Sequence, residues 1–357
     1  MTGFRSGLLD LLGIRLPIIQ APMAGVSSPE MAAATSNSGA LGSIGVGAVD
    51  ARAAREMIDA VRERTRASFN VNLFCHEPAH AEPALERAWI ERFEPQFRAL
   101  DAAAPQTLRE IYRSFVEDDS MLGMLIETRP PIISFHFGIP PEAAIHALRS
   151  VGITLIATAT NLAEARAIEA AGLDAIVAQG WEAGGHRGCF DPERTDEQLG
   201  TFALTRLLVR ETHLPIIAAG GIMDGAGIAA ALKLGAAAVQ LGTAFVGCDE
   251  SLADKGYRAA LADAARHGTM MTRVISGRPA RCLANRFSLL GLNIPDAAVP
   301  DYPIAYDLGK ALNAAAKARG EFGFGAQWAG QGAPLTRSQS TSALVAALAE
   351  EFEEAWT

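Results

Sequence analysis

The sequence predicts an α/β fold, a closed TIM-type (β/α)8 barrel that carries a second, mainly helical cap subdomain. Three observations predict the barrel. Eight short apolar runs recur along the chain, helical patterns alternate with most of them, and the first run is not followed by the GxGxxG of an open dinucleotide-binding sheet.

The runs are residues 17–20, 41–46, 69–74, 132–136, 154–159, 175–179, 215–219 and 237–241. They lack clean alternation, which suits strands buried on both faces of a parallel sheet. Between them, helical patterns cover residues 29–38, 51–64, 141–150, 162–171, 202–212 and 225–234. Several end in a glycine-bearing turn (Ser38-Gly39, Val151-Gly152, Ala171-Gly172, Leu234-Gly235), a helix stop. After the first run stands Gln20-Ala21-Pro22-Met23-Ala24-Gly25, which weighs against the doubly wound alternative.

Residues 74–132 break the rhythm with a long, charged segment of helical composition, including 82–97 and 107–115. It reads as an excursion after strand three that caps the barrel mouth, joined by a largely helical tail from about Asp249. The domain reading is therefore a barrel of 1–74 and 130–248, a helical cap and substrate subdomain of 75–129 and 249–335, and a C-terminal helix in 336–357.

Composition narrows the function. The chain has 357 residues, 49% of them hydrophobic, enough for a large core. A net charge of -9 makes nucleic acid a poor partner, so an anionic ligand needs local donors. The four cysteines, Cys75, Cys189, Cys248 and Cys282, form no CxxC and no zinc spacing, so neither disulfides nor a metal site is expected. Asp10 and Arg15 interrupt the N-terminal apolar stretch, which does not read as a signal peptide. No apolar run is long enough for a bilayer. A cytoplasmic enzyme without a membrane or nucleic-acid partner is expected.

In a barrel, chemistry collects at the carboxyl ends of the strands. Gly220-Gly221 closes strand seven, and Gln240-Leu241-Gly242-Thr243 closes strand eight. Glycines admit close backbone approach, and a short helix after strand eight completes a phosphate cradle. FMN fits such a rim, with Asn72 and Gln179 either reaching ring heteroatoms or satisfying loop backbone. His186 follows Gly184-Gly185 in a segment with four glycines in nine positions, a backbone shaped around something. A histidine there can take or give a proton. His136, in Ser134-Phe135-His136-Phe137-Gly138, suits either substrate binding or a hydrogen-bonded core position. Tyr306 and Lys310 share one helical face, with Tyr302 near its start; that stripe suits a small anion or a solvated face. His76, His80, His146, His213 and His267 read as surface or structural.

The segments QAPMAGV, FNVNLFCH, SFHFG, AQGWEAGGHRG, AAGGIMDG and QLGTAF, with DYPIAYDLGK and GAQWAGQG in the tail, resemble class I nitronate monooxygenase, formerly called 2-nitropropane dioxygenase. The resemblance spans nearly the whole chain. It implies an FMN barrel that oxidises alkyl nitronates with O2 to carbonyl compounds and nitrite or nitrate, with propionate 3-nitronate, a toxic metabolite, as physiological substrate. It implies His186 as the active-site histidine and His136, Tyr302, Tyr306 and Lys310 as substrate-pocket residues. Asn72, Gln179, Gly184, Gly221, Gln240, Leu241, Gly242 and Thr243 match FMN contacts, and the strand-end residues Ala21, Pro22, Met23, Gly185 and Gly220 complete the expected cofactor set. Two alternatives stay open: a flavin enoyl or NADH:quinone reductase, which shares Glu182-Ala183-Gly184-Gly185-His186, and a non-catalytic sensor of a phosphate ligand on the same barrel.

Overall fold

The computed structural model describes Phe4 and residues 6–357. Its strands are β1 (Ile18–Gln20), β2 (Gly42–Gly45), β3 (Phe69–Phe74), β4 (Ile132–His136), β5 (Thr154–Ala159), β6 (Ala175–Gln179), β7 (Gly185–His186), β8 (Ile216–Ala219), β9 (Ala238–Leu241), β10 (Thr269–Thr272) and β11 (Ala280–Leu283). Eight of them form one parallel sheet in the order β1-β9-β8-β6-β5-β4-β3-β2. A parallel bridge between Ile19 and Leu41 joins its two edges, with Gln20 N donating to Leu41 O and Leu41 N to Ile18 O, each at 2.9 Å. The sheet is thus closed, and the strands lie within or next to the apolar runs read from the sequence.

Closure explains why those runs do not alternate: each strand has two buried faces. One side chain set, Ile19, Leu41, Ile132, Ile156, Val177 and Ile217, packs with Leu8, Leu9 and Leu12 of the helix Gly7–Leu12. The other, including Val71, Ile133, Leu155 and Ile176, packs under helices through Ile58, Val61, Leu148, Ile168 and Leu208. Each such side chain contributes about 1.5–3 kcal/mol. Ile132, Ala175 and Ala238 begin their strands, so the leucines of Gly7–Leu12 plug the amino-terminal end and leave the carboxyl end as the mouth.

The helices begin where caps are available. Asp50 Oδ1 accepts from Ala53 N at 2.8 Å, Asn161 Oδ1 from Glu164 N at 3.0 Å and Asp224 Oδ1 from Gly227 N at 2.8 Å. The turn after Gly225–Lys233 needs Gly235: its φ is +103°, and a Cβ there would lie 2.8 Å from Val209 Cγ1.

Two departures from the sequence reading bear on the site. Residues 107–114 are not helical and only a 3-10 turn begins at Phe115, although Leu108, Ile111, Tyr112 and Phe115 repeat at helical spacing. Tertiary contacts win: Arg109 N donates to Asp307 Oδ2 at 3.0 Å, Ser114 Oγ donates to His76 O, and Leu108 and Tyr112 are buried without a helix. The helix in this region is instead Asp119–Thr128, capped by Asp118. The tail is also not simply helical. It contributes the antiparallel pair β10–β11, and β11 pairs in turn with β7, so that Ala280 faces His186.

The helix Pro83–Ala99 lays Trp89, Phe93 and Phe97 against Leu308 and Leu312 of the helix Ile304–Ala318 and against Phe287 and Phe324. The last helix, Thr341–Trp356, packs Leu344, Leu348 and Phe352 onto Ile228 and Leu232 outside the barrel.

Candidate active site

The barrel mouth opens into a cavity of about 570 Å³. Every residue expected at the site lines it: Ala21, Pro22, Met23, Asn72, His136, Gln179, Gly184, Gly185, His186, Gly220, Gly221, Gln240, Leu241, Gly242, Thr243, Tyr302, Tyr306 and Lys310.

On one side the wall is backbone. A Cβ at Gly184 would lie 2.4 Å from Gly330 N, so the two loops pass in direct contact. Gly220 and Gly221 have φ of +118° and +71°, which turns the chain sharply out of β8. Gly242 is different, because its Cβ would meet nothing nearer than Ala21 Cβ at 3.5 Å and Met23 Sδ at 3.7 Å. Past it, the single turn Thr243–Val246 begins with amides that have no carbonyl one turn back.

Two residues beyond Gly184 stands His186, the second residue of β7. Its Nε2 lies 2.9 Å from Ser276 Oγ, and that hydroxyl donates to Arg278 O at 3.2 Å. A carbonyl only accepts, so when the Ser276 proton points to Arg278 the Nε2 of His186 carries its own hydrogen. Nδ1 is then the ring nitrogen left for a ligand. Burial, followed by the neighbouring His136, Arg278 and His76, holds the imidazole well below its usual pKa, so it is neutral at pH 7.

The loop carrying His186 is stapled from below. Gln179 Nε2 donates to His186 O at 3.0 Å, and Gln179 Oε1 accepts from Gly188 N at 2.7 Å. His136 Nε2 also donates to His186 O at 3.2 Å, which leaves His136 Nδ1 to accept from Thr158 Oγ1 at 3.1 Å. Burial brings the His136 pKa down to about 4. Both ends of Gln179 and both nitrogens of His136 are therefore spent on protein. Asn72 spends its Nδ2 on Ser134, whose Oγ is 2.8 Å away.

The third side is aromatic. Tyr302 lies 5.2 Å from His186 between ring centroids, and its buried hydroxyl meets no partner. Trp328 lies 5.0 Å from His186, and Tyr306 and Tyr112 stack edge to face at 5.9 Å. Lys310 extends its ammonium over Tyr112 at 4.8 Å and Tyr306 at 5.5 Å, a cation–π arrangement in the cavity lining.

A family model described as nitronate monooxygenase matches residues 5–351. The chain belongs to the nitronate monooxygenase family. It is 58% identical over 353 residues to a nitronate monooxygenase of Paraburkholderia phytofirmans, covering 99% of this chain and 96% of that one. Among solved structures it is similar to a nitroalkane oxidase from Streptomyces ansochromogenes, with TM-score 0.88 and 38% identity over 98% of this chain and 99% of the other. FabK from Thermotoga maritima is more distant, with TM-score 0.75 and 30% identity over 98% and 97% of the two chains.

A nitronate monooxygenase is an FMN-dependent oxidoreductase, and the cavity fits that cofactor. Its volume is in the range of cofactor sites. The glycine rim offers backbone rather than side chains, and beside Gly242 even a Cβ would stay at ordinary contact distance from Ala21 and Met23.

Four residues around the site escaped the sequence reading. Tyr112 was hidden by a helical periodicity that the fold does not use. Ser276 and Arg278 lie in the turn before β11 and reach His186 only because β7 pairs with β11. Trp328 stood in a recognised segment, but nothing in its spacing gave it a role. His76, read as surface or structural, is buried, with its ring 5.0 Å from that of Tyr302.

Proposed function

We propose that this chain oxidises propionate 3-nitronate, with His186 as its active-site histidine and Lys310 holding the distal carboxylate. The observation that carries the reading is a pair of groups lining one cavity: a neutral imidazole with one nitrogen free, and an ammonium that no described carboxylate pairs within 4 Å, with the Tyr306 ring beside both.

Bound FMN supplies the acceptor for the nitronate's electrons and their route to O2. The residues do the rest. Ala21, Pro22, Met23, Gly184, Gly185, Gly220, Gly221, Gln240, Leu241, Gly242 and Thr243 form the backbone-rich side that holds the cofactor and its phosphate. Asn72 faces the ring side, and Gln179 acts by fixing the His186 loop. The unpartnered hydroxyl of Tyr302 is placed to donate to an anionic oxygen. Tyr306 orients Lys310, and His136 keeps His186 in place. A nitronate already lacks its α-proton, so a histidine held neutral by burial need not act as a strong base. If a neutral nitroalkane is used, Nδ1 of His186 takes that proton.

We further propose that residues 75–129 and 249–335 serve as the substrate-side cap on the barrel of 1–74 and 130–248, with 336–357 as an outer helix. Support comes from Pro83–Ala99 packing on the helix that carries Tyr306 and Lys310. Small-molecule nitronate and O2 are the partners, without nucleic acid, as the charge of -9 favours. Four free cysteines suit the reducing cytoplasm. Among the described residues, no helix is long and apolar enough to cross a membrane.

The test is anaerobic mixing of the yellow holoprotein with propionate 3-nitronate and, separately, with NADH. Bleaching by the nitronate alone supports the reading; bleaching by NADH alone moves the chain to the reductase branch.

A further inference from the structure

Arg278 is 4% exposed, yet no carboxylate among the described residues pairs with it within 4 Å. Its guanidinium donates to the carbonyls of Cys189 and, at 3.2 Å, Phe190, while its Nε meets no acceptor. Its neighbours are treated differently. Arg187 is paired with Asp196 at 2.7 Å, and Arg273 with Glu193 at 2.5 Å and Asp296 at 3.3 Å. A buried charge without a partner is costly, and an apolar side chain of similar length would fill the space without that cost. The missing counter-charge is therefore not part of the chain.

The position of Arg278 says where that counter-charge sits. Its Cζ lies 4.4 Å from the ring centroid of Phe137. Phe137 lines the cavity and Arg278 does not, so one ring separates the charge from the ligand space. Phe137 adopts φ +74°, a left-handed conformation unusual for a bulky residue, and its ring lies 5.6 Å from His186 and 5.4 Å from Tyr302. The titratable groups facing Arg278 are His76, His136, His186, Cys189 and Tyr302, with the cations Arg187 and Arg273 beyond them. None of the first five is charged at neutral pH, and the nearby carboxylates are engaged elsewhere: Asp196 by Arg187, Glu193 and Asp296 by Arg273, and Glu164 by Thr160 and the Phe190 amide.

We propose that Arg278 is a specificity-determining residue whose buried positive charge, acting across Phe137, makes the cavity select anionic ligands over neutral ones of the same shape. This rests on the nitronate reading of the site and adds a source for its preference. Attraction between unit charges across one ring, at an effective dielectric of about 20, corresponds to at least a tenfold preference, roughly.

The test uses FMN-loaded parent, Arg278→Met, Arg278→Gln and Arg278→Lys proteins. Nitrate, an unreactive planar oxyanion, and neutral nitroethane are titrated against the flavin absorbance. The Met and Gln variants are expected to bind nitrate about tenfold more weakly, with nitroethane binding changed less than twofold and the Lys variant close to the parent. Equal losses for both ligands, unchanged nitrate affinity in a variant that keeps FMN, or no nitrate binding by the parent would overturn the proposal. If Met fails to fold, Gln carries the same comparison. Neither titration needs turnover, so a protein bleached only by NADH would sink the nitronate reading while nitrate still reported on Arg278.

Discussion

His186 Nε2 lies 2.9 Å from Ser276 Oγ, and the same hydroxyl oxygen lies 3.2 Å from the Arg278 carbonyl oxygen. The contact occupies Nε2 and leaves Nδ1 as the other ring nitrogen; outer partners of this kind commonly set the tautomer of functional histidines.

Replacing Ser276 with alanine removes the group that fixes the tautomer. The kcat with propionate 3-nitronate is expected to fall about tenfold, with KM little changed and Ser276→Thr recovering most of the loss. Steady-state oxygen uptake measures this. An unchanged kcat in Ser276→Ala would show that the contact is only structural.

His186→Asn separates the two uses of the histidine. Turnover of a neutral nitroalkane, where the parent shows it, is expected to drop at least roughly 100-fold because the base is gone, and a preformed nitronate should lose much less. Normal nitroalkane turnover by the variant would remove His186 from that role.

Lys310→Met tests the ammonium that lines the cavity. KM for propionate 3-nitronate is expected to rise about tenfold, the scale of a charge-assisted contact, while ethyl nitronate, which lacks a carboxylate, keeps its KM. Parallel changes for both substrates would contradict the assignment.

Gly242→Val probes the phosphate side. A Cβ at Gly242 makes only ordinary contacts, with Ala21 Cβ at 3.5 Å and Met23 Sδ at 3.7 Å. The protein is expected to fold with the thermal midpoint of the flavin-free parent but to lose FMN affinity at least roughly tenfold. Full retention of yellow colour after dialysis would place the phosphate elsewhere.

Stability should fall on mild acidification. Burial lowers the pKa of His76 and His136 to about 4, below the unfolded value near 6.5. Above about 6.5 both states are neutral; as pH falls, the unfolded chain takes up protons that the native imidazoles refuse, so stability drops until pH reaches about 4. Each group accounts for on the order of 3 kcal/mol across that window. Urea unfolding of the FMN-free protein at pH 8 and pH 5 checks the sign, and equal midpoints would contradict it.

Much of this was legible because barrel strands are short, apolar and bounded by glycine or proline, so local composition reports them directly. The crowding around His186 was legible for the same reason: Gly184 and Gly188 stand where a Cβ would meet Gly330 N at 2.4 Å and Thr158 Cγ2 at 2.7 Å. Ser276 and Arg278 were not, because their importance depends on β11 pairing with β7, about 90 residues away, and no local pattern encodes that pairing. Tyr112 was misread because its apolar spacing satisfies a helix equally well. Only contacts such as Arg109 to Asp307 decide against the helix. Gln179 shows the reverse: its strand-end position was clear, but its amide serves the His186 loop at both ends.

The most direct test of the account is oxygen uptake by the purified FMN protein with propionate 3-nitronate, with nitrite or nitrate and the carbonyl product assayed in parallel and NADH absent. The account predicts rapid uptake matched by both products. No uptake, with the flavin instead reduced by NADH, would contradict it.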